Sequence, residues 1–99
     1  MNAFLYQPGQ REQIYSAEGF HPTTANVTQM ARAARALECI PEMVDILAST
    51  PEYTVYTIFD HEGDPNLAAT EAVAELTGIE FNLDDEDQVL SGPVLIIAE

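Results

Sequence analysis

Lysine and tryptophan are absent from these 99 residues, and the only permanently charged bases are Arg11, Arg32 and Arg35. Proteins bind phosphate groups mainly through Lys and Arg, so we expect no direct contact with nucleic acid or with an anionic membrane. Cys39 is the single cysteine and cannot form a disulfide within the chain. A lone thiol is typical of reducing compartments, and we expect a cytoplasmic protein.

Long apolar runs are also missing, since none approaches the roughly 20 residues that a transmembrane helix needs. The segment MNAFLYQPGQ lacks the basic and apolar regions of a signal peptide, so we expect none. The sequence contains neither the glycine-rich phosphate loops nor the GxSxG nucleophile motif. We therefore expect a binding protein rather than an enzyme, with no cofactor.

Acidic residues dominate the charge: 17 Asp and Glu leave a net charge of −14. Residues 51–99 hold twelve of these acids and no base, whereas residues 1–50 hold five acids and all three arginines. Self-repulsion of this size costs stability but speeds encounter with a basic partner.

The first half predicts a β-hairpin followed by a helical unit. Residues 3–6 and 13–15 predict two short strands around Pro8-Gly9, a pair suited to the centre of a type II turn. From residue 24 to residue 49, apolar residues recur at spacings of three and four, which predicts an amphipathic helix. Pro41 interrupts this helix with a kink or begins a second one.

The second half predicts three strands. Residues 53–59 are almost all β-branched or aromatic. Alternation over residues 79–83 predicts a half-buried strand, and the apolar run at 94–98 predicts a strand buried on both faces. With the helices, these elements predict an α+β fold: one domain over residues 1–99, with helices on one face of a sheet of four or five strands.

A second helix lies between these strands. Asp64 followed by Pro65 predicts its N-terminus, and Gly78 predicts its end. Glu71 and Glu75, four residues apart, are expected on its outer side.

Metal ligands do not converge in the sequence. Four acids occupy positions 1, 3, 5 and 12 of an EF-hand count: Asp60, Glu62, Asp64 and Glu71. Position 6 needs glycine for a sharp turn and is Pro65 here, so we expect no calcium site. His21, His61 and Cys39 lack zinc spacing, and we predict no metal.

The acidic second half is the candidate partner-binding surface. Its carboxylates are Asp60, Glu62, Asp64, Glu71, Glu75, Glu80, Asp84, Asp85, Glu86 and Asp87. DNA carries about one charge per 1.7 Å of axis, so a dense acidic surface is suited to the basic channel of a nucleic-acid-binding protein. Adaptation to high salt is an alternative, because halophilic proteins are acidic and poor in lysine, although their acids are spread more evenly.

One segment resembles small phage-encoded accessory proteins. Residues 31–48 are rich in alanine, and Ile-Pro-Glu-Met-Val at 40–44 is similar to the Pro-Glu-apolar-apolar core of those proteins. The resemblance covers about 18 residues and implies a mobile-element origin. Small acidic phage proteins without catalytic motifs resemble inhibitors of host defence, such as anti-CRISPR or anti-restriction proteins.

These observations predict a phage or mobile-element inhibitor that binds a host nucleic-acid-binding protein or defence complex stoichiometrically. Its acidic surface would imitate nucleic acid and block the access of DNA or RNA. The alternative is an adaptor or assembly subunit that binds through the apolar helical face of residues 24–49 or through the C-terminal strand. A homodimer is compatible with either prediction.

Overall fold

The structure, a computed structural model, describes residues 2–10, 12–16, 27–50, 52–58, 64–82, 84–85 and 88–98. Its strands are β1 Asn2–Tyr6, β2 Gln13–Tyr15, β3 Val44–Ser49, β4 Tyr53–Ile58 and β5 Val94–Ala98. Its helices are α1 Val27–Leu37 and α2 Leu67–Thr77, with a 3₁₀ turn at Pro41–Met43. Neither α1 nor α2 is long and apolar enough to cross a bilayer.

The strands form one antiparallel sheet in the order β2-β1-β5-β4-β3. The hairpins β1–β2 and β3–β4 lie on either side of β5, whose first four residues are buried. The predicted α+β fold with four or five strands is therefore confirmed, as is a strand at 94–98 that is buried on both faces. The strand predicted at 53–59 is confirmed to Ile58, and residue 59 lies outside the described residues.

The first hairpin is also confirmed. Gly9 has a φ of 72°, the positive value that the third position of a type II turn needs. The N–H of Gln10 donates to the carbonyl of Gln7 at 3.0 Å, which closes the turn.

The two helices cover opposite faces of the sheet, which corrects the prediction that they pack on one face. One core cluster joins α1 to the sheet and includes Ala33, Ala34, Leu37, Leu95 and Ile97. A second cluster joins α2 to the other face and includes Val55, Ala69, Val73, Val94 and Ile96. Successive side chains of β5 point to opposite faces. Both faces of β5 are apolar, so a helix must pack against each face to shield it from water.

The predicted helical unit at 24–49 is wrong beyond Leu37, and residues 24–26 lie outside the described residues. Glu38 has a φ of 60°, a left-handed conformation that ends α1. The N–H of Cys39 donates to the carbonyl of Ala34 at 2.9 Å, and that of Glu38 donates to the carbonyl of Arg35 at 3.3 Å. This pair of bonds is a Schellman motif formed without glycine.

Residues 44–49 form the edge strand β3 instead of a helix. Val44 is buried, Asp45 is exposed and Ile46 is half-buried, which is the alternation of a strand that packs one side against α1. The spacing of Ile40, Val44 and Leu47 matches a helical stripe only by coincidence. Pairing with β4 provides hydrogen-bond partners for the backbone N–H and C=O groups of this segment, and this pairing decides its conformation.

Helix α2 begins later than predicted. Its N-cap is Asn66, so the predicted cap Asp64 is wrong, and Pro65 forms an isolated β-bridge with Ser91. The predicted end is confirmed: Gly78 has a φ of 75°, and its N–H donates to the carbonyl of Ala74 at 2.9 Å.

The strand predicted at 79–83 is also wrong for the described residues 79–82, and residue 83 lies outside them. Ile79 is exposed, whereas Phe81 packs against the α2 cluster. Alternation predicts a strand only where a neighbouring strand supplies hydrogen bonds, and no described strand pairs with this segment.

Candidate partner-binding site

Six of the predicted carboxylates lie in the stretch formed by α2 and the segment after it: Asp64, Glu71, Glu75, Glu80, Asp84 and Asp85. The other four, Asp60, Glu62, Glu86 and Asp87, lie outside the described residues. We refer to residues 64–82 and 84–85 as the acidic layer. Glu71 and Glu75 are exposed on α2, as predicted, and Asp85 is half-buried.

Helix α2 and Phe81 of the acidic layer lie over one face of the sheet. Ala69 and Val73 belong to the α2 cluster, and Leu76 and Phe81 pack against it. Arg32 and Arg35 are exposed on α1, which covers the opposite face. Glu71 and Glu75, which α2 carries, therefore lie on the opposite side of the sheet from these two arginines.

Asn66 fixes the acidic layer to the sheet. Its side-chain amide is buried and donates to the carbonyl of Tyr6 at 3.0 Å and to the carbonyl of Gly92 at 2.8 Å. Its Oδ1 accepts from the N–H of Ala69 at 3.2 Å, which caps α2. One side chain therefore joins the end of β1, the approach to β5 and the start of α2.

Thr70 adds a second link within the same layer. Its hydroxyl donates to the carbonyl of Asn66 at 2.9 Å and accepts from the N–H of Leu90 at 3.0 Å. The N–H of Asn66 also donates to the carbonyl of Leu90 at 2.7 Å. These bonds join Leu90, in the chain that leads to β5, to the start of α2.

Residues 84–85, the described part of the run of four acids at 84–87, lie in a hydrogen-bonded turn. The N–H of Asp84 donates to Oδ1 of Asn82 at 3.1 Å, and the N–H of Asp85 donates to the carbonyl of Asn82 at 3.0 Å. Gln88 donates from Nε2 to Oδ2 of Asp85 at 3.2 Å and accepts from the N–H of Asn82 at 2.9 Å. Asp84 and Asp85 are therefore displayed from a hydrogen-bonded turn.

An open groove of about 380 Å³ lies between α2 and the sheet. Its lining residues are Phe4, Tyr6, Glu12, Ala72, Glu75, Leu76, Ile96 and Ala98. The walls are mostly apolar, and its only charged lining residues among those described are the two glutamates. This volume lies within the range of natural ligand clefts, roughly 300–1,000 Å³.

Tyr6 is the polar centre of this groove. Its hydroxyl donates to Oε1 of Glu12 at 2.6 Å, the short distance of a charge-assisted bond. Burial raises the pKa of Tyr6 far above its usual value, and the hydrogen bond to Glu12 and the negative charges of Glu12 and Glu75 raise it further. The hydroxyl therefore stays protonated and remains a donor at neutral pH.

Sequence reasoning missed Glu12, Tyr6 and Asn66 as site residues. The hairpin register pairs Leu5 with Gln13, so the next pair of facing positions toward the turn is Tyr6 and Glu12. The predicted hairpin contained this signal, because cross-strand neighbours interact. No local signal connects Asn66 with β1, since the two are 60 residues apart.

Much of the apolar surface that the adaptor alternative requires is buried. Ala34 and Leu37, from the predicted apolar helical face of residues 24–49, are buried against the sheet. The C-terminal strand β5 is central and is covered on both faces. Ile40 and Leu47 of the predicted apolar stripe remain exposed, at 61% and 42%, and residues 24–26 lie outside the described residues.

The described residues contain no group of three potential ligands that could hold a metal ion. Asp60 and Glu62, from the EF-hand count, lie outside those residues. Cys39 is half-buried beside the α1 cluster, and burial raises the pKa of its thiol, which disfavours the reactive thiolate.

The chain was compared with known proteins in three ways. Scans against protein-family models, curated proteins and solved structures each found no match.

Proposed function

We propose that this protein is an inhibitor, of phage or mobile-element origin, that binds a nucleic-acid-binding protein of a host defence system in the host cytoplasm. It binds stoichiometrically and keeps DNA or RNA out of the basic channel of its target. The observation that carries this proposal is the acidic layer: it holds six of the predicted carboxylates and no base, and its helix α2 covers the face of the sheet opposite α1, which carries Arg32 and Arg35.

The charge distribution supports this function physically. Carboxylates on one face present a coherent negative potential, whereas acids interspersed with bases cancel each other within about one Debye length, roughly 8 Å at physiological salt. Such a potential steers a basic partner and raises the association rate more than it raises affinity. The buried bonds of Asn66 and Thr70 hold the layer in place, so little ordering entropy is lost on binding.

Two variants with equal loss of charge test the proposal. One carries Glu71→Gln, Glu75→Gln and Glu80→Gln in the acidic layer. The matched control carries Glu42→Gln, Asp45→Asn and Glu52→Gln, three exposed acids outside that layer. The wild-type protein and both variants are immobilised and exposed to bacterial lysate at low salt. Bound proteins are eluted by rising salt or by duplex DNA and identified by mass spectrometry.

We expect the wild type and the control to retain the same nucleic-acid-binding complex, which salt and DNA both release. The acidic-layer variant should release it at clearly lower salt. If the two variants release the complex at equally lowered salt, net charge alone explains the binding and the acidic layer has no special role. If the bound protein is released neither by salt nor by duplex DNA, the proposal is wrong.

A further inference from the structure

The groove between α2 and the sheet combines features that together select one kind of side chain. Glu12 comes from the first hairpin and Glu75 from α2, so two distant parts of the chain place carboxylates in one depression. The aromatic residues Phe4 and Tyr6 and the aliphatic Leu76 line the space beside them. The described lining therefore offers two negative charges and an apolar wall, with no positive charge of its own.

The negative charges of the two carboxylates are not balanced by any described lining residue of the groove. Both lie close enough to the Tyr6 hydroxyl for their charges to disfavour its ionisation. Like charges that share a groove repel each other, and a cation between them relieves this repulsion. The hydrogen bond from Tyr6 occupies one oxygen of Glu12, and a carboxylate has about four acceptor sites in total, so acceptor capacity remains.

We propose that this groove binds an arginine side chain of the protein that the acidic layer captures. The proposal rests on the proposed function, since it supplies the specific anchor within a broad electrostatic contact. A guanidinium is planar, donates in a fork that matches a carboxylate, stacks on aromatic rings and sheds water more readily than an ammonium. These properties match two glutamates beside Phe4 and Tyr6. Lysine offers only a strongly hydrated point charge.

The groove lies in a position that serves such an anchor. Glu75 belongs to both the groove and the acidic layer, so an arginine bound in the groove is continuous with the proposed contact. Asn66 donates to the carbonyl of Tyr6 and therefore holds the groove floor and the start of α2 together. Partly buried arginines are frequent hot spots of protein interfaces, whereas exposed charge pairs contribute little.

The direct test uses short peptides instead of the unidentified partner. The probe is N-acetyl-Gly-Arg-Gly-amide, titrated at physiological salt into the isotope-labelled protein and followed by NMR. Peptides with citrulline or lysine at the centre are the matched probes, because citrulline keeps the shape of arginine without its charge. We expect the arginine peptide to shift the resonances of Tyr6, Ala72, Leu76 and Ile96, with weaker binding of lysine and none of citrulline.

Variants then separate the groove from net charge. Glu12→Gln and Glu75→Gln should each weaken binding of the arginine peptide about tenfold, the loss expected for one hydrogen bond to a charged group. Glu42→Gln, which removes the same charge outside the groove, should change it less than twofold. Ala72→Met fills the groove without a change of charge and should abolish binding, which a purely electrostatic attraction would not predict.

The outcomes distinguish this inference from the proposed function. If the arginine and citrulline peptides bind equally, or if Glu42→Gln weakens binding as much as Glu12→Gln, the groove is not an arginine site. The lysate experiment would still test the acidic layer in that case. If the peptide binds in the groove but no nucleic-acid-binding protein is captured, the assignment of the groove as an arginine site is supported and the proposed function is wrong.

Discussion

The side-chain amide of Asn66 donates a hydrogen bond to the backbone carbonyl of Tyr6, 60 residues earlier, at 3.0 Å. The same residue caps α2, so the first strand and the acidic helix share one buried anchor. Tyr6 in turn donates to Glu12 at 2.6 Å in the groove. A single chain of contacts therefore runs from the start of the acidic layer to the candidate arginine site.

Replacement of Asn66 by alanine should destabilise the protein by about 2–4 kcal/mol. The change removes an N-cap and leaves the buried carbonyls of Tyr6 and Gly92 without this donor. Urea unfolding followed by circular dichroism measures the loss. Asn2→Ala, at an exposed position, serves as the control and should stay within about 0.5 kcal/mol of wild type. An equal effect of both changes would contradict the assigned role of Asn66.

Replacement of Glu38 by glycine should stabilise the protein by about 1 kcal/mol. Glu38 occupies the left-handed position of a Schellman motif with a φ of 60°, where a residue with a Cβ is strained and glycine is not. Glu38→Ala removes the same charge but keeps the strain, so it should show little of the gain. Chemical denaturation of the three proteins at moderate salt distinguishes backbone relief from charge removal.

The free energy of unfolding should fall as the pH rises above about 10. Burial raises the pKa of Tyr6 and of Tyr56 above the usual value, so both stay protonated in the folded state when they ionise in the unfolded chain. Below the pKa of tyrosine in the unfolded chain, near 10, the two groups leave the free energy of unfolding independent of pH. Above it, each such tyrosine lowers the free energy of unfolding by about 1.4 kcal/mol per pH unit.

Urea unfolding at a series of pH values from about 8 to about 11 measures this slope. Tyr6→Phe removes one of the two groups and should flatten the decline, whereas Glu42→Gln should leave it unchanged. A decline that is as steep in Tyr6→Phe as in wild type would contradict the role of Tyr6.

Added salt should stabilise the protein, with most of the gain complete by about 0.5–1 M NaCl. The net charge of −14 produces repulsion that is screened as the Debye length falls from about 10 Å at 0.1 M to about 3 Å at 1 M. Thermal melting at increasing salt measures the change in Tm. A Tm that continues to climb steeply in multi-molar KCl would instead favour adaptation to high salt.

Several elements were predictable because local chemistry decides them. The apolar run at 94–98 and the β-branched run from residue 53 predicted β5 and β4, and Pro8-Gly9 predicted the turn of the first hairpin. Gly78 predicted the end of α2 because its left-handed conformation suits glycine. The α+β fold follows from these elements in order.

The mistaken predictions arose where local patterns fit more than one structure. Residues 44–49 satisfy a helical spacing and a strand alternation, and pairing with β4 decides between them. Residues 79–82 alternate like a strand but have no described strand beside them. Asp64 and Asn66 are both suitable caps, and the buried acceptors of Tyr6 and Gly92 select the amide, which can donate as well as accept.

The sign, the excess and the uneven placement of charge follow from composition and chain position alone. The central strand follows from local sequence too, because a run of five apolar residues favours burial. The packing of distant segments settles that the helices cover opposite faces and that Glu12 and Glu75 line one groove with Tyr6. Such contacts join residues far apart in the chain, and no local preference specifies them; they depend on how both apolar faces of β5 are covered.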